Sequence, residues 1–239
     1  MTERLPQRDL VDVRLADALA TGGCPICAVR ARSERATLDA IIAERVLDIG
    51  FRAGLEREYG FCRRHAAELV EADRRASGIL GSSILYGAMI ERRVAALRSA
   101  LGSRGRTRRS RLAAAARRPP CPVCEQGVVA VDTALVRLAE RSADAAWAAV
   151  AAAAPFCLDD LVALIATAGD AVTFRPIVER QLERLDDLRA RLEGYADHSA
   201  QDRRHLMRDE ERRAADEAAA VLGGDRRAQP DDDAGPARR

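Results

Sequence analysis

Apolar residues recur at three- and four-residue steps along most of the chain. Leu38, Ile41, Ile42, Val46 and Ile49 make one stripe, and Leu80, Ile84, Met89, Ile90, Val94, Leu97 and Leu101 make a longer one. Val178, Gln181, Leu185, Leu188, Leu192 and Tyr195 keep a near-heptad step with one polar residue in it. This is the period of one face of an α-helix. No segment sustains the two-residue alternation of a half-buried strand. The pattern predicts an all-α fold, a helical bundle.

A second regularity lies over the helical one. Cys24-Pro25-Ile26-Cys27 returns as Cys121-Pro122-Val123-Cys124, and Phe61-Cys62-Arg63-Arg64-His65 returns as Phe156-Cys157-Leu158-Asp159-Asp160. Each cysteine pair precedes its tetrad by a similar gap, and each tetrad leads to a glycine, Gly78 or Gly169, and a long helical pattern. Repetition of this kind predicts two pseudo-repeated helical units, residues 7–101 and 121–222. Residues 102–120 carry Gly102, Gly105, a closing Pro119-Pro120 and many arginines but no acid. They read as a flexible basic linker in which RLAAAARR could form a short helix. The tail, 223–239, is polar, charged and proline-containing and is predicted to be disordered.

Composition changes this picture in two ways. Aromatics make up only 3% of the 239 residues, with Trp147 the single tryptophan, so the core must be built from small aliphatic side chains. Each of these buries little area, at roughly 25 cal/mol per Å², and a metal would help such a core. All 39 basic residues are arginine, and the chain has neither lysine nor asparagine, the mark of a GC-rich coding sequence. With a net charge of +2, there is no global electrostatic case for a polyanion partner. The N-terminus has no signal-like apolar stretch. The most apolar run, Ala145 to Phe156, is too short to cross a bilayer, which predicts a cytoplasmic protein without membrane attachment. Thiols stay reduced in that compartment, so clustered cysteines point to metal or redox chemistry.

The local chemistry favours metal. Proline after Cys24 is suited to the first helical position, placing Cys24 at an N-cap and Cys27 in the first turn. Free N–H groups and the helix dipole stabilise a thiolate there. Cys62 and Cys157 read the same way. Zinc takes four ligands at tetrahedral corners. Taken in sequence order, the first set is Cys24, Cys27, Cys62 and His65, and the second is Cys121, Cys124, Cys157 and Asp160. Aspartate is less usual in a structural zinc site, and an acid in a first helical turn also has an ordinary electrostatic role, so the second set is the weaker of the two.

Other readings stay open. The cysteines could be small buried thiols at helix junctions, or C-P-x-C could be a redox dithiol, although such motifs usually sit beside a βαβ pattern. A haem attachment motif fails, because Ala28 and Glu125 stand where histidine is needed. His198 and His205 could share a helix face with Asp197 and Asp202 nearby, but solvated residues on a charged helix are the simpler reading. The linker could touch phosphates, yet it has no aromatics for base stacking and no nucleic-acid motif. There is no phosphate loop, G-x-S-x-G or H-E-x-x-H, which argues against an enzyme.

C-P-[IV]-C, then G-F-C-x-x-H-x-x-x-L over 60–69, G-I-L-x-x-S-I-L-Y over 78–86 and a second C-P-x-C half resemble an uncharacterised bacterial helical family, a domain of unknown function. The resemblance runs from about Asp9 to Gly224. That family's second tetrad is commonly C-x-x-H, whereas this chain has Asp160. The resemblance implies the helical architecture and no activity. The expectation is a zinc-binding protein with a structural, adaptor or regulatory role and an unidentified protein partner. A thiol redox protein is the alternative, and weak nucleic-acid binding through the linker comes third.

Overall fold

A computed structural model describes residues 5–58, 60–76, 78–116, 121–169, 172–200 and 202–224. Among these residues there are eleven α-helices and no strand: α1 Leu10–Leu19, α2 Pro25–Ala40, α3 Ile49–Glu58, α4 Arg63–Ala76, α5 Leu80–Leu101, α6 Gly105–Ala116, α7 Pro122–Arg141, α8 Ala145–Ala153, α9 Leu158–Ala168, α10 Arg175–His198 and α11 Asp209–Gly223. A π-helical turn, Ile41–Arg45, continues α2. The all-α expectation holds. The expected disordered tail lies outside the described residues apart from Gly223 and Gly224.

Local chemistry sets the helix starts. Asp9 caps α1 by accepting from the N–H groups of Val11 and Asp12, and Asp144 caps α8 through those of Ala146 and Trp147. Four helices begin at cysteine. The carbonyls of Cys24, Cys62, Cys121 and Cys157 accept the first helical bonds of α2, α4, α7 and α9 at 2.9–3.0 Å. α4 is reached through Gly60, whose φ of 87° lies in the left-handed region that glycine tolerates.

The helices form two compact units that do not follow sequence order. The first takes the described residues up to Ala31 and those from Val129 to Gly224. The second runs from Arg32 to Val128. The boundaries fall inside α2 and α7, and residues 7–101 and 121–222 are not the compact bodies. The segment expected to be a flexible linker holds a helix, α6. Its arginines and alanines are good helix formers, and Arg111 donates to the carbonyl and hydroxyl of Ser99 and to the hydroxyl of Ser103.

In the first unit, Trp147 of α8 is fully buried with Leu15, Ile26, Leu138, Leu164 and Ile177. Phe156 and Phe174 complete that core. Beside it, Asp12 accepts from the guanidinium groups of Arg141 and Arg137 and from the N–H of Arg8. Burial opposes ionisation of Asp12, but these bonds outweigh it and hold its pKa at about 2. A depressed carboxylate stabilises the fold above its unfolded pKa of about 3.9 and loses that contribution as pH falls through the folded value. Asp12→Asn is therefore expected to cost about 3 kcal/mol at neutral pH by leaving buried Arg141 poorly paired. It should also flatten the stability loss between about pH 4 and pH 2, read from urea midpoints.

The core of the second unit is smaller. It comprises Leu38, Ile41, Val46, Leu55, Phe61, Leu69, Ala72 and Leu85, together with Cys121 and Val123 at the start of α7. Asp73 fixes the α4–α5 turn by accepting from the backbone N–H and hydroxyl of Ser82, and the Tyr86 hydroxyl donates to the Ala66 carbonyl. No described helix is long and apolar enough to cross a membrane.

Candidate metal centres

All eight candidate ligands fall into two clusters of four donors, and within each cluster the donor atoms lie within 4.8 Å of one another. The grouping differs from sequence order. Cys24 and Cys27 meet Cys157 and Asp160 in the first unit, while Cys62 and His65 meet Cys121 and Cys124 in the second. Cys24 and Cys27 thus join the second F-C-x-x-(H or D) tetrad, and Cys121 and Cys124 join the first. Packing of the helix starts decides this, since Ile26 shares a core with Phe156 and Leu161, and Val123 shares one with Phe61 and Leu69.

In the first cluster, the Cys157 sulfur lies 3.8 Å from that of Cys24 and 3.9 Å from that of Cys27. One Asp160 oxygen, Oδ2, is 3.1–3.2 Å from all three sulfurs. Asp160 reaches them because, three residues after Cys157, it lies on the same face of α9. Hydrogen bonding with Cys157 and Cys27 holds the Cys24 thiol down at about 4. Hydrogen bonding with Cys24 and Cys27 pushes Cys157 up, and burial beside the Cys27 sulfur raises Asp160.

The second cluster is built around the imidazole of His65, which is fully buried. Its Nδ1 is 3.3 Å from the sulfur of Cys62, 3.4 Å from that of Cys121 and 3.2 Å from that of Cys124. The sulfurs of Cys124 and Cys62 are 3.7 Å apart. Cys62 also accepts the His65 backbone N–H, so its sulfur caps α4. Hydrogen bonds from Cys124 and Cys62 lower Cys121, and those from Cys124 to Cys121 and Cys62 raise Cys124. Burial would lower His65, but Cys121, Cys62 and Glu34 outweigh it and raise it to about 11.

Glu34 stands directly behind this cluster, a placement that the sequence reading missed. It is buried, and its Oε2 lies 3.4 Å from His65 Nε2, the ring nitrogen pointing away from the sulfurs. Arg64 holds the same carboxylate at 3.0 Å. A carboxylate behind a ligating imidazole fixes the ring and raises its basicity. The space for it comes from Gly127, where a Cβ would sit 2.7 Å from Glu34 Oε1. A glycine inside the helical run Cys124-Glu125-Gln126-Gly127-Val128 was the available signal. Glu34→Gln is expected to weaken metal binding at this cluster about 10- to 100-fold in chelator competition, with the other cluster unaffected. Equal affinity would remove Glu34 from the site.

The other two histidines do not form a cluster. His198 bonds through Nδ1 to Oε2 of buried Glu211 at 3.0 Å, tying α10 to α11, and His205 is exposed. The charged segment around His205 is therefore not wholly solvated, since Glu211 within it is buried.

Both clusters present four protein donors and can hold a metal ion without a further ligand. No curated protein and no solved structure matches the chain. A model of a family of unknown function matches residues 7–173, a span that contains all eight donors and stops before α10. On that match, the chain belongs to DUF6062, a family of unknown function.

Proposed function

We propose that the protein is a zinc-binding protein that holds two ions per chain in a structural role, with any adaptor or regulatory activity resting on the fold they stabilise. The observation that carries this is the spacing of the sulfurs. With zinc–sulfur bonds of about 2.3 Å, two ligands at tetrahedral corners stand about 3.8 Å apart. The three sulfur pairs measured above are 3.7, 3.8 and 3.9 Å apart. A nitrogen or oxygen ligand should stand about 3.5 Å from each sulfur. The His65 and Asp160 donors are slightly closer, at 3.1–3.4 Å. A dithiol reading accounts for two sulfurs of each set, whereas the zinc reading accounts for all four donors.

Four protein ligands are the pattern of a structural site, since a catalytic zinc keeps a position for water or substrate. The ligands come from distant helix starts: Cys24 and Cys157 are 133 residues apart, and Cys62 and Cys124 are 62 apart. An ion that binds such distant donors only in the folded chain adds its binding free energy to folding. Elemental analysis of protein purified without chelator should find two zinc equivalents per chain. A metal-free protein would overturn the reading.

A further inference from the structure

The end of α11 lies against the first metal centre. At Gly224, which closes the helix with a φ of 61°, a Cβ would sit 3.6 Å from the Cys27 sulfur and 3.7 Å from that of Cys157. Two clefts reach the donors along this helix end. Cys24 and Cys27 line one with Ala219, Ala220 and Gly224, and Cys24 and Cys157 line the other with Glu217, Ala220 and Val221. α11 thus flanks both approaches to the sulfurs.

The hold of α11 on the fold is polar and strongest at its start. Glu211, in the first turn, is buried and accepts from the backbone N–H of Arg208 at 2.9 Å, with the His198 ring of α10 at 3.0 Å. A second tie, from Arg191 of α10 to Glu217, spans 2.7 Å between side chains 16% and 40% exposed. Beyond Ala214 no residue of α11 is buried. A helix end with so little buried apolar area opens locally at a small fraction of the cost of global unfolding.

We propose that this helix end is a lid over the first centre, pivoting on Glu211, latched by the Arg191–Glu217 pair and controlling the exchange of zinc with thiol-bearing or chelating acceptors. The proposal rests on the zinc reading above. Donor chemistry agrees with an exchangeable ion: Asp160 supplies oxygen where the second centre has His65, an imidazole braced by Glu34. With the lid open, an acceptor thiolate enters along a cleft and replaces the protein donors one at a time. The second centre is built by the other unit and serves as the internal reference.

The test is the rate at which each cysteine of the full-length, zinc-loaded protein becomes labelled by N-ethylmaleimide in excess pyridylazoresorcinol, read by mass spectrometry. Glu217→Arg sets a cation against Arg191 and unlatches the lid. It should speed labelling of Cys24, Cys27 and Cys157 about fivefold or more and leave Cys62, Cys121 and Cys124 unchanged, with starting zinc and helical content as in the native chain. Asp216→Arg makes the same charge change on an exposed residue of α11 and should leave all six rates as they are. The lid is overturned if Glu217→Arg changes no rate or speeds both centres alike, or if Asp216→Arg speeds the first centre as much. Two bound ions insensitive to Glu217→Arg would sink the lid alone, whereas a chain purified without zinc would sink the zinc reading and the lid with it.

Discussion

Stripping both ions with excess chelator is expected to abolish the cooperative thermal transition and much of the helical circular dichroism, and added zinc should restore both. The scale of the effect follows from two magnitudes. A structural zinc contributes about 10–16 kcal/mol of apparent folding free energy in small zinc domains, while a whole domain is stable by only about 5–15 kcal/mol. The cores leave little reserve. Among the described residues, the buried aromatic side chains are Trp147, Phe156 and Phe174 in the first unit's core and Phe61 in the second's. An unchanged melt in protein shown to be metal-free would mean that hydrophobic packing alone holds the fold.

The second large effect is unequal between the units. Cys121→Ser should remove one zinc equivalent and open the second unit, where Cys121 and Val123 are part of the core itself. The first unit has the larger core, and its Trp147 is fully buried and is the only tryptophan of the chain. Its emission should therefore stay blue while the dichroism loses the share of the second unit. A red shift of Trp147 at the same midpoint as the loss of dichroism would show instead that the cluster of Cys121 stabilises both units together.

The donors were legible in the sequence, and their grouping was not. C-P-x-C followed by F-C-x-x-(H or D) states the ligand chemistry, and the proline after Cys24 and after Cys121 correctly places these cysteines at helix starts. Either grouping satisfies that pattern, because the two copies have nearly equal spacing. The choice belongs to long-range packing, of Ile26 with Phe156 and Leu161 and of Val123 with Phe61 and Leu69, and no local rule expresses it. The same limit explains α5. A helical period shows which face is apolar and not what covers it, so Ile90, Val94, Leu97 and Leu101 read as core residues and prove exposed. Glu34 was hidden for a different reason: in Arg30-Ala31-Arg32-Ser33-Glu34-Arg35 a buried carboxylate looks like its solvated neighbours. The helix α6 was obscured by Gly102, Gly105 and the density of arginine, which suggested a flexible linker although the alanines beside them favour a helix.

The crossed and the sequence-order assemblies differ in which cysteines would share an ion. The most direct measurement is the zinc content of two double variants after dialysis against a weak chelator. Cys24→Ser with Cys157→Ser disables one cluster only, so this chain should keep one of two zinc equivalents. Cys24→Ser with Cys62→Ser damages both clusters and should keep none. The opposite outcome, with the first variant empty and the second retaining one equivalent, would restore the sequence-order sets and contradict the crossed assembly of the two centres.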